Sequence, residues 1–176
     1  EVCLVGSEMC IRDSHQPGQT VSRCPSMTTA TFTPDVVACR LAATSKKQLL
    51  QQLSSMVAAH AGLCDRKVLS AIISREKLGS TGIGNGLALP HAILESATRP
   101  VTLLATLETP VDFGSPDNMP VEVMALVLGA DEDSNGYLST VNAVSRILHQ
   151  RHAQMRDARS EADIRSALEE PQIVAA

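Results

Sequence analysis

One segment, residues 80–91, concentrates the features of this chain that could perform chemistry. It reads Ser-Thr-Gly-Ile-Gly-Asn-Gly-Leu-Ala-Leu-Pro-His. Its three glycines, each two residues apart, allow the backbone to turn sharply or to approach a ligand closely. Pro90 restricts the backbone just before His91, which predicts an imidazole held rigidly at the end of the apolar strand Leu87–Leu89. A glycine-rich turn with exposed N–H groups beside a fixed imidazole suits the binding or transfer of a phosphoryl group.

Other ligand classes fit the sequence less well. The spacing Gly-x-Gly-x-Gly is not the Gly-x-Gly-x-x-Gly fingerprint of dinucleotide sites, and no lysine follows it as in a P-loop. The 176 residues carry a net charge of −4 and 2% aromatic residues, so neither a polyanion-binding surface nor base-stacking platforms are expected. His149 and His152 could bind a metal on a helix, but no acidic or cysteine cluster is evident beside them. We therefore predict no metal, no cofactor and no nucleic-acid partner. Because no apolar stretch approaches about 20 residues, we also predict no membrane insertion.

Hydrophobic periodicity and capping signals indicate the elements that must position His91. Apolar runs predict strands at 36–41, 87–89, 100–108 and 120–128. Helices are predicted after a capping box at 45–48 as far as Gly62, after a cap at Asp65 ending before Gly79, from Tyr137 onward, and from a cap at Ser160 through Leu168. The stretches 110–120 and 131–136 are predicted loops. This order does not alternate strictly, which favours a mixed sheet with helices packed on it in a single domain.

The first 26 residues differ from the remainder, because they mix polar residues, prolines and three of the five cysteines without periodicity. We expect residues 1–26 to be a non-native or disordered leader, and residues 27–176 to form the domain. Cys39 and Cys64 are the cysteines of that domain, and the chain has no Cys-x-x-Cys motif. Scattered free thiols are typical of proteins in a reducing cytoplasm, which is where we expect this protein to act.

The motif also resembles that of a known family. The segment Arg75-Glu-Lys-Leu-Gly-Ser-Thr-Gly-Ile-Gly-Asn-Gly-Leu-Ala-Leu-Pro-His91 closely resembles the active-site signature of enzyme IIA domains of the fructose/mannitol class, which belong to the bacterial phosphoenolpyruvate phosphotransferase system. Within that class the likeness is strongest to nitrogen-regulatory enzymes IIA. It extends over roughly residues 31–170 and includes 45–48 and 107–113. The resemblance implies a three-layer α/β/α sandwich with a mixed sheet.

The resemblance further implies roles for individual residues. The family's phosphoacceptor falls on His91, which would accept a phosphoryl group on Nε2 from the phosphohistidine of a small HPr-like carrier protein. The family arginine falls on Arg75, whose planar, permanently charged guanidinium could stabilise the transferring oxygens. Tyr137 stands where family members often carry a second active-site histidine. The backbone N–H groups and the threonine hydroxyl of a phosphate loop are assigned to Thr81, Gly82, Gly84, Asn85 and Gly86.

Three functions are open from the sequence, and we favour the first. It is a phosphohistidine carrier of the nitrogen branch, a phosphotransferase component that regulates partner proteins by its phosphorylation state. The second keeps the chemistry of His91 but passes the phosphoryl group to a transporter, as a sugar-specific enzyme IIA of the fructose or mannitol type would. The third is a protein-binding module that has lost phosphotransfer. Tyr137 raises this last alternative, because a phenol cannot become a cation at neutral pH.

Overall fold

Four helices cover both faces of a six-stranded sheet in the computed structural model, which describes residues 32–131 and 133–169. The elements in chain order are β1 (Val36–Leu41), α1 (Lys46–Ala61), α2 (Asp65–Lys77), β2 (Gly82–Gly84), β3 (Leu87–Ala88), β4 (His91–Leu94), β5 (Val101–Val111), β6 (Val121–Ala130), α3 (Ser134–Asp157) and α4 (Glu161–Glu169). The predicted single-domain, three-layer α/β/α architecture with a mixed sheet is confirmed. The predicted leader lies outside the described residues.

The sheet places His91 beside its most buried strand. The strand order is β1-β5-β6-β3-β2, and β4 lies beside β6 on the same edge as β3. β5 and β6 are antiparallel, whereas β1 runs parallel to β5, and both β3 and β4 run parallel to β6. In this register Leu87 lies opposite Val123, and His91 lies opposite Val127. His91 is therefore anchored to a strand that is buried along almost its whole length.

Each face of the sheet packs against one pair of helices. α1 and α2 bury aliphatic side chains such as Leu53 and Ile72 against one face. α3 and α4 bury Leu148 and Ile164 against the other. Fully burying one such side chain contributes about 1.5–3 kcal/mol, so these contacts fix the layers relative to one another. The same packing brings the last turn of α2 and the first turn of α3 to the end of the sheet where β4 begins.

Two of the predicted helix starts are confirmed by their caps. Ser45 precedes α1, and its side chain accepts a hydrogen bond from the N–H of Gln48 at 3.3 Å. Gly62 ends α1 with φ +66°, in the left-handed region that favours glycine. At α4, Ser160 Oγ accepts from the N–H of Asp163 at 3.2 Å, while the Asp163 carboxylate accepts from the N–H of Ser160 at 3.0 Å. These reciprocal bonds are those of a capping box.

The other two helix starts correct the sequence prediction. α2 is preceded by Cys64 rather than capped by Asp65, which lies in the first turn and accepts a hydrogen bond from Ser55 Oγ instead. α3 begins at Ser134, inside the stretch predicted to be a loop. The reason is that the side chain of Asp133 accepts a hydrogen bond from the N–H of Gly136 and caps the helix, which therefore begins three residues before Tyr137.

The strands also extend beyond the predicted pattern. β5 continues to Val111: its pairing with β6 is broken by a register irregularity after Thr106, which accommodates Pro110, and resumes where Val111 lies opposite Val121. The predicted loop 110–120 therefore begins too early. The prediction also omitted β2 and β4, since each is too short to show periodicity. The glycine segment consequently supplies the first strand and the turn of a β-hairpin, in which β2 pairs antiparallel with β3.

Candidate functional site

His91 is the first residue of β4 and lies between two helix ends. Its backbone follows Pro90, whose carbonyl accepts a hydrogen bond from the N–H of Val127 at 3.0 Å and so ties the turn to β6. Arg75, in the last turn of α2, contacts the ring from one side. Tyr137, in the first turn of α3, flanks it from the other. Three of the sequence-predicted site residues are thus brought together by the layer packing.

The hydrogen bonds of the His91 ring define which nitrogen carries a proton. Nδ1 lies 2.7 Å from the carbonyl oxygen of Leu89. Because a carbonyl oxygen can only accept, Nδ1 must be the protonated, donating nitrogen. Nε2 lies 3.1 Å from Nε of Arg75, which can only donate. The neutral imidazole therefore presents its lone pair on Nε2, on the side of the guanidinium.

The surroundings of His91 favour the neutral imidazole. Burial lowers the pKa of His91 below its ordinary value of 6.5, and the positive charge of Arg75 lowers it further. The carbonyl of Leu89 and the carboxylate of Glu76 act in the opposite direction without reversing the shift in pKa. The free base therefore persists to lower pH than in an ordinary histidine, which keeps Nε2 unprotonated near neutral pH.

Arg75 is held at two points of its guanidinium. Nε donates to His91 Nε2, and a terminal nitrogen donates to the carbonyl oxygen of Gly79 at 3.2 Å. The second bond lies just beyond the end of α2, where a cation also interacts favourably with the helix dipole. The guanidinium is therefore oriented before any substrate arrives.

Tyr137 packs against both His91 and the central strand. Its ring centroid lies 6.3 Å from that of His91, at an interplanar angle of 48°. The ring covers Gly129 of β6, where an added Cβ would lie 2.6 Å from Tyr137 Cγ. Tyr137 is 7% exposed, and burial raises the pKa of its hydroxyl above 10.0, although the charge of Arg75 opposes the shift. The side chain is thus a neutral, apolar wall of the site.

Glu76 is a residue of this region that the sequence reasoning missed. Its carboxylate accepts hydrogen bonds from the N–H and the hydroxyl of Thr81, and it lies 2.5 Å from the amine of Lys46. Burial opposes ionisation, but the bonds from Lys46 and Thr81 outweigh it and hold the pKa of Glu76 below 4.5. The Lys46 amine also donates to the carbonyl of Phe113 at 2.7 Å. The sequence does offer a signal for Glu76, since it is an acidic residue that directly follows Arg75 inside the family signature segment.

The glycine segment forms a hairpin in which two of the N–H groups assigned to a phosphate loop donate to protein side chains. The N–H of Gly82 donates to Ser80 Oγ at 3.2 Å, and the N–H of Asn85 donates to the Asp117 carboxylate at 2.6 Å. Asn85 and Gly86 form the tip with φ +54° and +72°, both in the left-handed region. The structure thus gives this segment a definite structural role. Its contact with a phosphoryl group stays a prediction.

The histidine pair on α3 does not form a metal centre in the described part of the chain. His149 Nδ1 lies 2.9 Å from the carbonyl of Ser145, and His152 Nε2 lies 3.7 Å from the Glu122 carboxylate. Between residues 32 and 169, apart from residue 132, no group of three His, Cys, Asp or Glu side chains could hold a metal ion. Within the same described ranges, no helix has the length and apolarity to span a membrane.

Comparison with known proteins identifies consistent relatives. Residues 30–170 match the family described as phosphoenolpyruvate-dependent sugar phosphotransferase system, EIIA 2. A nitrogen regulatory protein of Klebsiella oxytoca is 42% identical over 105 residues, which are 59% of this chain and 65% of that protein, just under two thirds of its length. One from Bradyrhizobium diazoefficiens is 33% identical over 145 residues, 81% of this chain and 95% of that protein. The crystal structure of nitrogen regulatory protein IIA-Ntr from Neisseria meningitidis has the same fold, with a TM-score of 0.68 and 23% identity over 76% of this chain and 93% of that one.

Proposed function

The chain belongs to the EIIA 2 family of the phosphoenolpyruvate-dependent sugar phosphotransferase system, and we propose that it is a phosphohistidine carrier of the nitrogen-regulatory branch. The family supplies the general chemistry, that of a phosphotransferase component. The assignment to the nitrogen branch rests on the relatives, since those at 33% and 42% identity are named nitrogen regulatory proteins. The residues that carry the phosphoryl group in this chain are inferred from geometry.

The observation that supports the proposal most is the protonation pattern of His91. The Leu89 carbonyl holds the proton on Nδ1, so Nε2 is the nucleophile. Only the neutral imidazole can attack phosphorus, and because burial lowers the pKa of His91 a larger fraction of it is neutral near neutral pH. The ring thus has one available lone pair and a fixed orientation.

In the proposed step, Nε2 attacks the phosphorus of a phosphohistidine on an HPr-like carrier. A P–N bond forms on His91, the P–N bond of the donor breaks, and the donor imidazole retains the electron pair. Because phosphoryl transfer depends mainly on positioning and charge stabilisation, Arg75 is the chief contributor beyond the nucleophile. Its guanidinium is permanently charged and lies within 3.1 Å of the accepting nitrogen. Tyr137 limits the access of water to the product.

The proposed output is regulation through partner proteins. Phosphorylation adds about −1.5 to −2 charges at one site, so a protein that docks over His91 would distinguish the two forms. The donor chain begins at phosphoenolpyruvate, a cytoplasmic metabolite, and the proposal therefore places the protein in the cytoplasm. Binding experiments that compare the phosphorylated with the unphosphorylated protein would identify the regulated partners.

Phosphorylation with phosphoenolpyruvate, enzyme I and purified carrier proteins tests the proposal. We expect intact-mass measurement to find one acid-labile phosphoryl adduct, formed faster with a nitrogen-branch carrier than with a sugar-branch one. His91→Ala should abolish the adduct. His149→Ala is the matched control, because that histidine is exposed on α3 with its Nδ1 at 2.9 Å from the carbonyl of Ser145, and it should leave the adduct intact.

Each other outcome has a definite meaning. An adduct that persists in His91→Ala contradicts the assignment of the acceptor. Faster transfer from the sugar-branch carrier contradicts the nitrogen-branch role and supports a sugar-specific enzyme IIA. An unmodified wild-type chain with both carriers supports the binding module that lacks phosphotransfer.

A further inference from the structure

The nucleophilic lone pair of His91 is already engaged by the residue that should assist the reaction. Arg75 Nε–H donates to Nε2 at 3.1 Å, and Nε2 is the only ring nitrogen with a free lone pair, since Nδ1–H is held by Leu89. A nitrogen cannot use one lone pair both to accept a hydrogen bond and to bond to phosphorus. This contact must therefore break before His91 can be phosphorylated.

The capping contact is held by the protein rather than being an accident of a long side chain. A terminal nitrogen of Arg75 donates to the carbonyl of Gly79, immediately after α2. His91 is fixed on the other side by Leu89 and by the β4–β6 pairing. Both partners are thus oriented from the backbone, and the hydrogen bond between them is the resting arrangement.

We propose that Arg75 caps Nε2 and that an electrophile able to attract the guanidinium displaces the cap most readily, which makes His91 selective for anionic phosphoryl donors. This role rests on the proposed function of His91 and adds a discriminating step to it. A phosphoryl group offers charged oxygens that accept the Arg75 N–H bonds in bidentate fashion. An uncharged electrophile offers no comparable acceptor, so for such a reagent the cap is only an obstacle.

The exchange of partners balances without a net proton transfer. As the donor approaches, the Arg75 N–H bond moves from Nε2 to a phosphoryl oxygen, and the guanidinium stays protonated. Nε2 then forms the new P–N bond while the donor's P–N bond breaks and its imidazole keeps the electron pair. Nδ1 retains its proton and its bond to the Leu89 carbonyl throughout.

Two small reagents separate capping from transition-state assistance, since neither has a protein surface to dock. Diethyl pyrocarbonate is an uncharged electrophile that acylates neutral histidine, and phosphoramidate is a small anionic phosphoryl donor. Both are applied at about pH 8, well above the ordinary histidine pKa of about 6.5, so that changes in protonation do not contribute. Modification of each histidine is followed by peptide mass spectrometry in the wild type, Arg75→Met and Arg75→Lys.

The proposal requires opposite effects of one substitution. Methionine retains an unbranched stem but has no hydrogen-bond donor. Diethyl pyrocarbonate should therefore acylate His91 about twofold to tenfold faster in Arg75→Met, a factor that corresponds to the loss of one hydrogen bond. The same variant should be phosphorylated by phosphoramidate about tenfold or more slowly, because a charge-stabilising donor is lost. Arg75→Lys keeps the positive charge without the Nε–H group. The acylation of His91 should also be faster in this variant, while its phosphorylation should slow less than in Arg75→Met.

Internal controls make the outcome decisive. His60, beside Asp35, and His149, beside the Ser145 carbonyl, should be acylated at unchanged rates in all three proteins, which reports an intact fold. Unchanged or slower acylation of His91 in Arg75→Met overturns the cap, whatever the phosphorylation result. Conversely, faster acylation in a protein that no carrier phosphorylates would leave the cap standing and refute the proposed function.

Discussion

The two ends of β6 each place a histidine beside a charged side chain, with opposite consequences. At one end His91 faces the guanidinium of Arg75 at 3.1 Å. At the other end, five residues and roughly 16 Å back along the strand, His152 lies 3.7 Å from the carboxylate of Glu122. A ring nitrogen that faces the N–H of a cation must accept, whereas a ring nitrogen that bonds to a carboxylate must donate and so offers no lone pair.

The difference shows how neighbours determine the chemistry of a histidine. His91 suits the proposed role of nucleophile because a carbonyl holds its Nδ1 proton and burial with a nearby cation lowers its pKa. His152 faces a carboxylate instead, and it lies near the hairpin tip at Gly86. Four predictions test the His91 end of the sheet against the hairpin end.

The first prediction concerns Arg75. Arg75→Lys should slow phosphoryl acceptance from the carrier about 10-fold to 100-fold, because an ammonium lacks the planar fork that can hold two phosphoryl oxygens. Rapid-quench kinetics with a limiting phosphorylated carrier measure the loss. His152→Gln, at the hairpin end, should change the same rate less than about twofold. An equal loss in both variants would remove the distinction between the two ends.

The second prediction compares one glycine from each end. Gly129→Ala should destabilise the fold by about 2–3 kcal/mol, because the new Cβ overlaps the Tyr137 ring. Gly86→Ala should cost only about 1 kcal/mol, since its φ of +72° is strained for alanine but its surroundings leave ordinary contact distances.

Urea unfolding of a double mutant checks the cause of the larger loss. In a Tyr137→Ala background, the effect of Gly129→Ala should shrink, whereas that of Gly86→Ala should not. If the effects of Gly129→Ala and Gly86→Ala were both additive with that of Tyr137→Ala, the Tyr137 ring would not determine the loss of stability at Gly129.

The third prediction concerns two carboxylates. Glu76, whose side chain is 9% exposed, pairs with Lys46, so Glu76→Gln should lower the free energy of unfolding by about 1–3 kcal/mol at neutral pH. Because the pKa of Glu76 is held below 4.5, this advantage of the wild type is present above that pH and disappears as the pH falls through the lowered pKa. Asp117→Asn, which alters the carboxylate that accepts from Asn85 at the hairpin tip, should have a smaller effect, because solvent screens an exposed carboxylate. A larger effect at Asp117 would reverse the comparison.

The fourth prediction is a titration. NMR of the imidazole C–H resonances should give His91 a midpoint below 6.5, and Arg75→Met should raise it, because one of the two causes of the lowered pKa is removed. Since the unfolded chain binds this proton more readily, His91 contributes stability that is present above about pH 6.5 and lost as the pH falls towards the lowered pKa. A midpoint at or above 6.5 in the wild type would show that His91 is not held neutral.

Local signals predicted much of the fold because they depend on neighbouring residues. The caps at Ser45 and Ser160 and the glycine that ends α1 were confirmed, since each acts within a few residues of itself. The predictions that failed involved competing local groups or very short strands. Asp133 capped α3 ahead of Tyr137, and β4, only four residues long, exists because it pairs with β6.

The sequence by itself determined the family, the layered architecture and His91 as the candidate acceptor, because a contiguous motif and hydrophobic periodicity both survive without coordinates. Only the tertiary structure decided that Arg75, sixteen residues away, caps Nε2, that Leu89 holds the proton on Nδ1, and that the Tyr137 ring rests on Gly129. These arrangements depend on how α2, β4, β6 and α3 stack against one another. Hydrogen bonds require positions accurate to a few tenths of an ångström, which only the packed layers provide.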